Sequence, residues 1–199
     1  AWYSEKSNGI YVSVILRPPL APSTAPVLTL MAGVAVHEAI CLSTGLAADI
    51  RWPNDVLVNG KKVCGILTEM SAELDRLHAV VLGIGVNVNH REMPEELKSI
   101  ATSLRMEAGK AISRAQVLVA LLKELEKHYQ LLLREGGRAI VERWAGASTF
   151  ATGKQVRVLT GTGEYQAVTA GLDHRGALRV RRGDGREETL VAGEIVEVK

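Results

Sequence analysis

Residues 51–70 read Arg51-Trp52-Pro53-Asn54-Asp55-Val56-Leu57-Val58-Asn59-Gly60-Lys61-Lys62-Val63-Cys64-Gly65-Ile66-Leu67-Thr68-Glu69-Met70. Two β-prone runs, Val56 to Val58 and Val63 to Met70, flank Asn59-Gly60. Both residues of that pair tolerate positive φ, as a tight turn demands, so a β-hairpin is expected. A strand entering near Ile50 delivers Arg51 to a turn stiffened by Pro53, with the Asp55 carboxylate close behind. A fixed cation beside a tight turn suits phosphate chemistry. The same residues also read as structure alone: Trp52 in a core, Asp55 bonded to its own turn, Arg51 a surface charge.

The next β run, Leu77 to Val88, contains Leu82-Gly83-Ile84-Gly85-Val86-Asn87-Val88-Asn89. Glycine inside a strand packs nothing, so Gly83 and Gly85 point to close approach by another backbone or by a flat ligand. Asn87 carries both donor and acceptor for a base edge or amide. No G-x-G-x-x-G opens a helix after this strand, so it is not a dinucleotide fingerprint.

Working outward, residues 9–17 alternate around β-branched and aromatic side chains and stop at Pro18-Pro19, a strand followed by a loop. Residues 26–44 carry apolar side chains at helical spacing, with Ser23 or Thr24 as cap and Gly45 just past the end. Residues 113–134 form an amphipathic helix opened by Ser113 and stopped by Gly136-Gly137, and a shorter helix is expected from Arg138 to Ala145. After Thr149 the chain turns to short β runs, Gln155 to Leu159, Tyr165 to Leu172, Ala177 to Arg182 and Thr189 to Val198, the spacing of a small barrel or sandwich.

The 199 residues, 47% hydrophobic and 23% charged, are enough for a globular core with a small appendage. A net charge of +2 does not by itself indicate nucleic acid or a membrane surface. Leu28 to Leu46 is interrupted by His37 and Glu38, so no membrane span is expected, and Ala1 to Asn8 lacks the pattern of a secretory signal. Cys41 and Cys64 are expected as free thiols in a cytoplasmic protein. No metal site is expected: Cys41 stands where a His37-Glu38 motif would need its second histidine, and His78, His90, His128 and His174 show no ligand spacing. Serines lie in no nucleophile elbow. Arg175, Arg179, Arg181, Arg182 and Arg186 are diluted by acidic residues and read as a solvated face, with contact to an acidic carrier domain or ATP as the alternative.

RWPNDVLVNGKKVCGILTE resembles the K-W-P-N-D … G-x-K-x-x-G-I-L-x-E signature of bacterial biotin protein ligases, and LGIGVNVN resembles that family's G-x-G-x-N strand. The resemblance extends over essentially the whole chain. It implies an α/β (α+β) fold, a mixed β-sheet backed by helices of the class II synthetase-like biotin/lipoate ligase type, over residues 1–148, with an SH3-like barrel over 149–199. It implies a cytoplasmic ligase that activates biotin with ATP and Mg2+ to biotinyl-5'-AMP and passes biotin to a lysine of the biotin carboxyl carrier protein of acetyl-CoA carboxylase. By position, Arg51 stands for the lysine that contacts the biotin carboxylate and the α-phosphate. Trp2 and Tyr11 border the adenylate and biotin, Gly65, Gly83 and Gly85 floor the biotin pocket, and Asn87 bonds adenine. Residues 90–102 would be a flexible loop over the adenine.

Two departures from the family pattern bear on activity. Arginine replaces the usual lysine at position 51, and the two cations are not interchangeable at a close-fitting phosphate. The family's glycine- and arginine-rich loop, with its upstream biotin-binding Ser-Thr-Asn and Gln positions, is expected before Ala1. A lipoate-type ligase and a non-catalytic binding or dimerisation module of the same fold are the alternatives. Homodimerisation stays open, and DNA would be a partner only of an upstream helix-turn-helix domain.

Overall fold

The computed structural model describes residues 7–73, 77–161 and 163–198. Trp2 and the rest of residues 1–6 lie outside the described residues. The first sheet comprises β1 (Gly9–Leu16), β2 (Ala48–Arg51), β3 (Asp55–Val58), β4 (Lys61–Ala72) and β5 (Leu77–Asn87), in the order β1-β5-β4-β3-β2. All its ladders among the described residues are antiparallel, so the helix-backed sheet is antiparallel where a mixed one was expected. Among the described residues the one parallel pairing is an isolated bridge between Lys62 and Ala101. The expected hairpin forms between β3 and β4, with Asn59 at φ 50° and Gly60 at φ 74°.

Helices cover one face of this sheet: α1 (Ala25–Thr44), α3 (Arg114–Glu135) and α4 (Gly137–Ala147). The short α2 (Leu104–Ala108), unanticipated from the sequence, is capped by the Ser103 side chain accepting from Met106 N. Residues 22–44, whose most apolar 18-residue stretch has mean hydropathy 1.7, are long and apolar enough to cross a membrane by length and composition. That differs from the sequence expectation, which counted His37 and Glu38 as breaks. In the fold this stretch is the central core helix, with most positions from Val27 to Ile40 buried between the sheet and α3 and α4. It ends at Gly45, whose φ of 75° is the left-handed conformation that glycine adopts without strain.

Strand parity fixes what the helices cover. On β5, Val80, Leu82, Ile84 and Val86 are buried, and on β4 Thr68 bonds Thr29 of α1 at 2.8 Å, so even-numbered positions there face the helices. Val81, Gly83, Gly85 and Asn87 therefore share the opposite face.

A second antiparallel sheet follows: β6 (Thr152–Thr160), β7 (Gly163–Leu172), β8 (Leu178–Arg182), β9 (Glu187–Leu190) and β10 (Glu194–Glu197), ordered β10-β6-β7-β8-β9. The single run expected from Thr189 to Val198 is two strands, because Gly193 at φ 118° turns the chain between β9 and β10. On its surface Arg181 and Arg182 pair with Glu187 and Glu188, and Arg186 pairs with Asp184, so these three members of the basic cluster are charge-paired. Both cysteines are free thiols. Burial pushes the Cys64 thiol far above its ordinary pKa and keeps it protonated.

Candidate functional site

The register of the first sheet lines up one transverse row on the face away from the helices. Tyr11 pairs with Gly85, Gly85 with Gly65, Gly65 with Asp55 and Asp55 with Arg51. One row therefore runs from an aromatic ring, across two glycines, to an ion pair. Tyr11 is 46% exposed. Gly83 lies one position further along the same face, and a Cβ placed on it would meet only Leu67, at 3.6 Å and beyond. The described neighbours thus do not require glycine at 83. The helix layer packs on the other side, so a glycine-rich strand serving helix packing does not account for these residues. The result, among the described residues, is a glycine-rich floor with a cation at one end.

That cation is held in place. Arg51 Nη2 donates to Asp55 Oδ2 at 2.7 Å, and the Lys62 ammonium pairs with Asp55 Oδ1. The Asp55 side chain is only 12% exposed. The Asn54 side chain donates to Ile66 O at 2.7 Å and the Asn54 carbonyl accepts from Ile66 N, so the turn is bolted to β4. Asp55 orients two cations at once, a preorganised positive corner beside the glycine floor.

Lys62 was not among the residues singled out from the sequence. On plain alternation it would point to the helix side, out of phase with Gly65. A β-bulge shifts the β3–β4 register between Val56 and Leu57, pairing Leu57 with Lys62 and leaving Val63 as the extra residue. Lys62 thereby turns onto the face of Asp55. Its place in the G-x-K element of the signature was the one signal available. Replacing Lys62 by glutamine should keep the hairpin, judged by unchanged circular dichroism, and weaken anion binding at this corner about tenfold or more.

Asn87 is buried on the same face. Its amide nitrogen donates to Thr102 O at 3.1 Å, while its Oδ1 is buried without a hydrogen-bond partner. That unpartnered acceptor is free to recognise a ligand donor, a match for an amino group such as the exocyclic amine of adenine. The segment 90–102, expected as a flexible loop, is docked: Lys62 N donates to Ile100 O and Thr102 N to Lys62 O, with His90, Met93 and Thr102 buried. It stands beside both Asn87 and Lys62.

Trp52 does not line the glycine face. It is buried, and its indole N–H donates to Gly176 O at 3.1 Å, joining the turn beside Arg51 to the second sheet. Ser148 and Thr149 add hydrogen bonds to Ile50 O and Asp49 on β2. A cleft of about 540 Å³ along this seam is lined by Thr29, Thr68, Trp52, Pro53 and Arg175. Thr29 and Thr68 place that cleft on the helix side, away from the row. Trp52→Phe, which leaves the Gly176 carbonyl unpaired, should cost about 1–3 kcal/mol in urea unfolding.

Comparison with known proteins fits this geometry. Residues 1–87 match the biotin/lipoate A/B protein ligase family, and residues 152–196 match the biotin protein ligase C-terminal domain. The bifunctional ligase/repressor BirA of Bacillus subtilis is 43% identical over 187 residues, 92% of this chain and 57% of that protein. The chain thus spans under two thirds of that relative's length. The biotin--[acetyl-CoA-carboxylase] ligase of Paracoccus denitrificans is 33% identical, covering 92% of this chain and 78% of that protein. Biotin protein ligase from Aquifex aeolicus, solved in complex with biotin and ATP, superposes with a TM-score of 0.81 at 29% identity, covering 96% of this chain and 79% of that one. The chain belongs to the biotin protein ligase family.

Proposed function

We propose that this chain carries the biotin- and ATP-handling face of a ligase that forms biotinyl-5'-AMP and passes biotin to a lysine of the biotin carboxyl carrier protein. The observation that carries the reading is the row Tyr11–Gly85–Gly65–Asp55–Arg51, a glycine-rich floor that ends on a fixed cation. The fused biotin rings lie on Gly65, Gly83 and Gly85, with Tyr11 at the border. The carboxylate reaches toward Arg51, and Asn87 Oδ1 accepts from the adenine amine. The division into a catalytic unit, 1–148, and a C-terminal unit, 149–199, belongs to the same proposal, and the match to the biotin ligase C-terminal domain favours biotin over lipoate.

The reaction needs no protein nucleophile. The biotin carboxylate attacks the α-phosphorus of ATP and pyrophosphate leaves, while Arg51 and Lys62, held by Asp55, stabilise the charge that develops on the phosphate. The lysine amine of the carrier then attacks the mixed anhydride and AMP departs. Shielding by the docked 90–102 segment keeps water from the anhydride. Magnesium does not find a protein ligand at this corner: both oxygens of Asp55 are taken by cations, so no step is assigned to a protein-bound metal here.

Calorimetry separates this reading from a non-catalytic binding module. Biotin titrated with ATP present should bind far more tightly than biotin alone, because the adenylate that forms stays bound. Equal affinity with and without ATP would favour the binding module.

A further inference from the structure

On the far side of the helix layer from the glycine face, Glu38 of α1 meets Glu124 and His128 of α3, and their ligating atoms all lie within 4.8 Å of one another. His128 is fully buried, and neither ring nitrogen has a hydrogen-bond partner of good geometry. Its Nε2 points at the carboxylates, 3.1 Å from Glu38 Oε2 and 3.8 Å from Glu124 Oε2. The Lys127 ammonium grips the same two oxygens at 2.5 and 2.6 Å. We propose that this cluster is a binding site for a divalent first-row transition ion of the zinc type, held by His128, Glu38 and Glu124, which clips α1 to α3 when Lys127 swings away.

The distances suit the ion. Zinc bonds of about 2.0–2.2 Å in tetrahedral geometry set ligand atoms roughly 3.3 Å apart, and the two observed separations fall on either side of that value. Glu124 and His128, four apart on one helix, project from the same face. Two carboxylates face one ammonium, whereas a divalent ion meets both carboxylates and the buried imidazole at once. Lys127 is 53% exposed, so its displacement disturbs no core packing. Sequence spacing does not reveal the cluster, because Glu38 is brought to it by the α1–α3 packing.

The test is calorimetric titration of the protein with ZnCl2 alone, followed by the same titration of variants. One zinc ion per chain should bind, with the melting temperature raised by saturating metal. His128→Gln should weaken binding about thirtyfold or more. Lys127→Ala, which removes the competing ammonium at an exposed position, should tighten it. That opposite sign keeps the test decisive even if the buried substitution impairs folding. Cys41, whose Sγ lies 3.9 Å from His37 Nε2, forms an alternative ligand pair on α1, and Cys41→Ser should change nothing. Absence of saturable binding up to about 1 mM zinc would overturn the proposal, as would zinc binding that Lys127→Ala leaves unchanged or that Cys41→Ser abolishes.

Discussion

Replacing Gly83 with valine should leave the protein folded, with an unchanged or slightly higher melting temperature, and should lower biotin-dependent turnover by about 100-fold or more. The two halves of this expectation rest on the same observation. A Cβ at position 83 meets nothing closer than 3.6 Å among the described residues, so the sheet itself accepts a side chain there. Valine also suits a strand better than glycine does. The branched side chain would stand on the floor where the biotin rings are proposed to lie. Paired melting curves and biotin titrations check it. A variant that melts early would instead assign the glycine to folding, and a variant that binds biotin normally would move the pocket elsewhere.

Arg51→Met should keep the aliphatic stem, remove the charge and lower the rate of adenylate formation by about 100- to 1000-fold, with a much smaller effect on biotin affinity. The asymmetry follows from where the charge develops: the phosphate gains negative character in the transition state, while the biotin ground state needs the cation less. Arg51→Lys should retain most of the rate, since the usual family lysine is restored and Lys62 still holds Asp55. Single-turnover measurement of adenylate formation beside equilibrium biotin binding checks both variants.

Much of this arrangement is legible in the sequence, and the gaps have physical causes. The Asn59-Gly60 turn, the strands on either side of it and the helix ends at Ser113 and Gly45 follow from local chemistry that nothing later overrides. Arg51, Gly65, Gly83, Gly85 and Asn87 stand out because each breaks the ordinary preference of a strand or occupies a signature position. That they and Tyr11 share one face requires the register of four strand pairings, which no local pattern specifies. Lys62 stays hidden because a single bulged residue, Val63, reverses its direction. Trp52 belongs to the signature yet joins the two sheets, since its partner, the Gly176 carbonyl, lies far along the chain. The apolar helix at 25–44 has the composition of a membrane segment, and only the packing of α3, α4 and the sheet around it shows that it is a core helix.

The central claim is that the row ending in Arg51 activates biotin, and biotin-dependent exchange of labelled pyrophosphate into ATP tests it most directly. The measurement is made on this chain and on a version extended upstream through the glycine- and arginine-rich loop of the family. Exchange that requires biotin, appears at least in the extended protein and collapses in Arg51→Met is the predicted result. No exchange in either protein, or exchange that persists unchanged in Arg51→Met, would contradict the account.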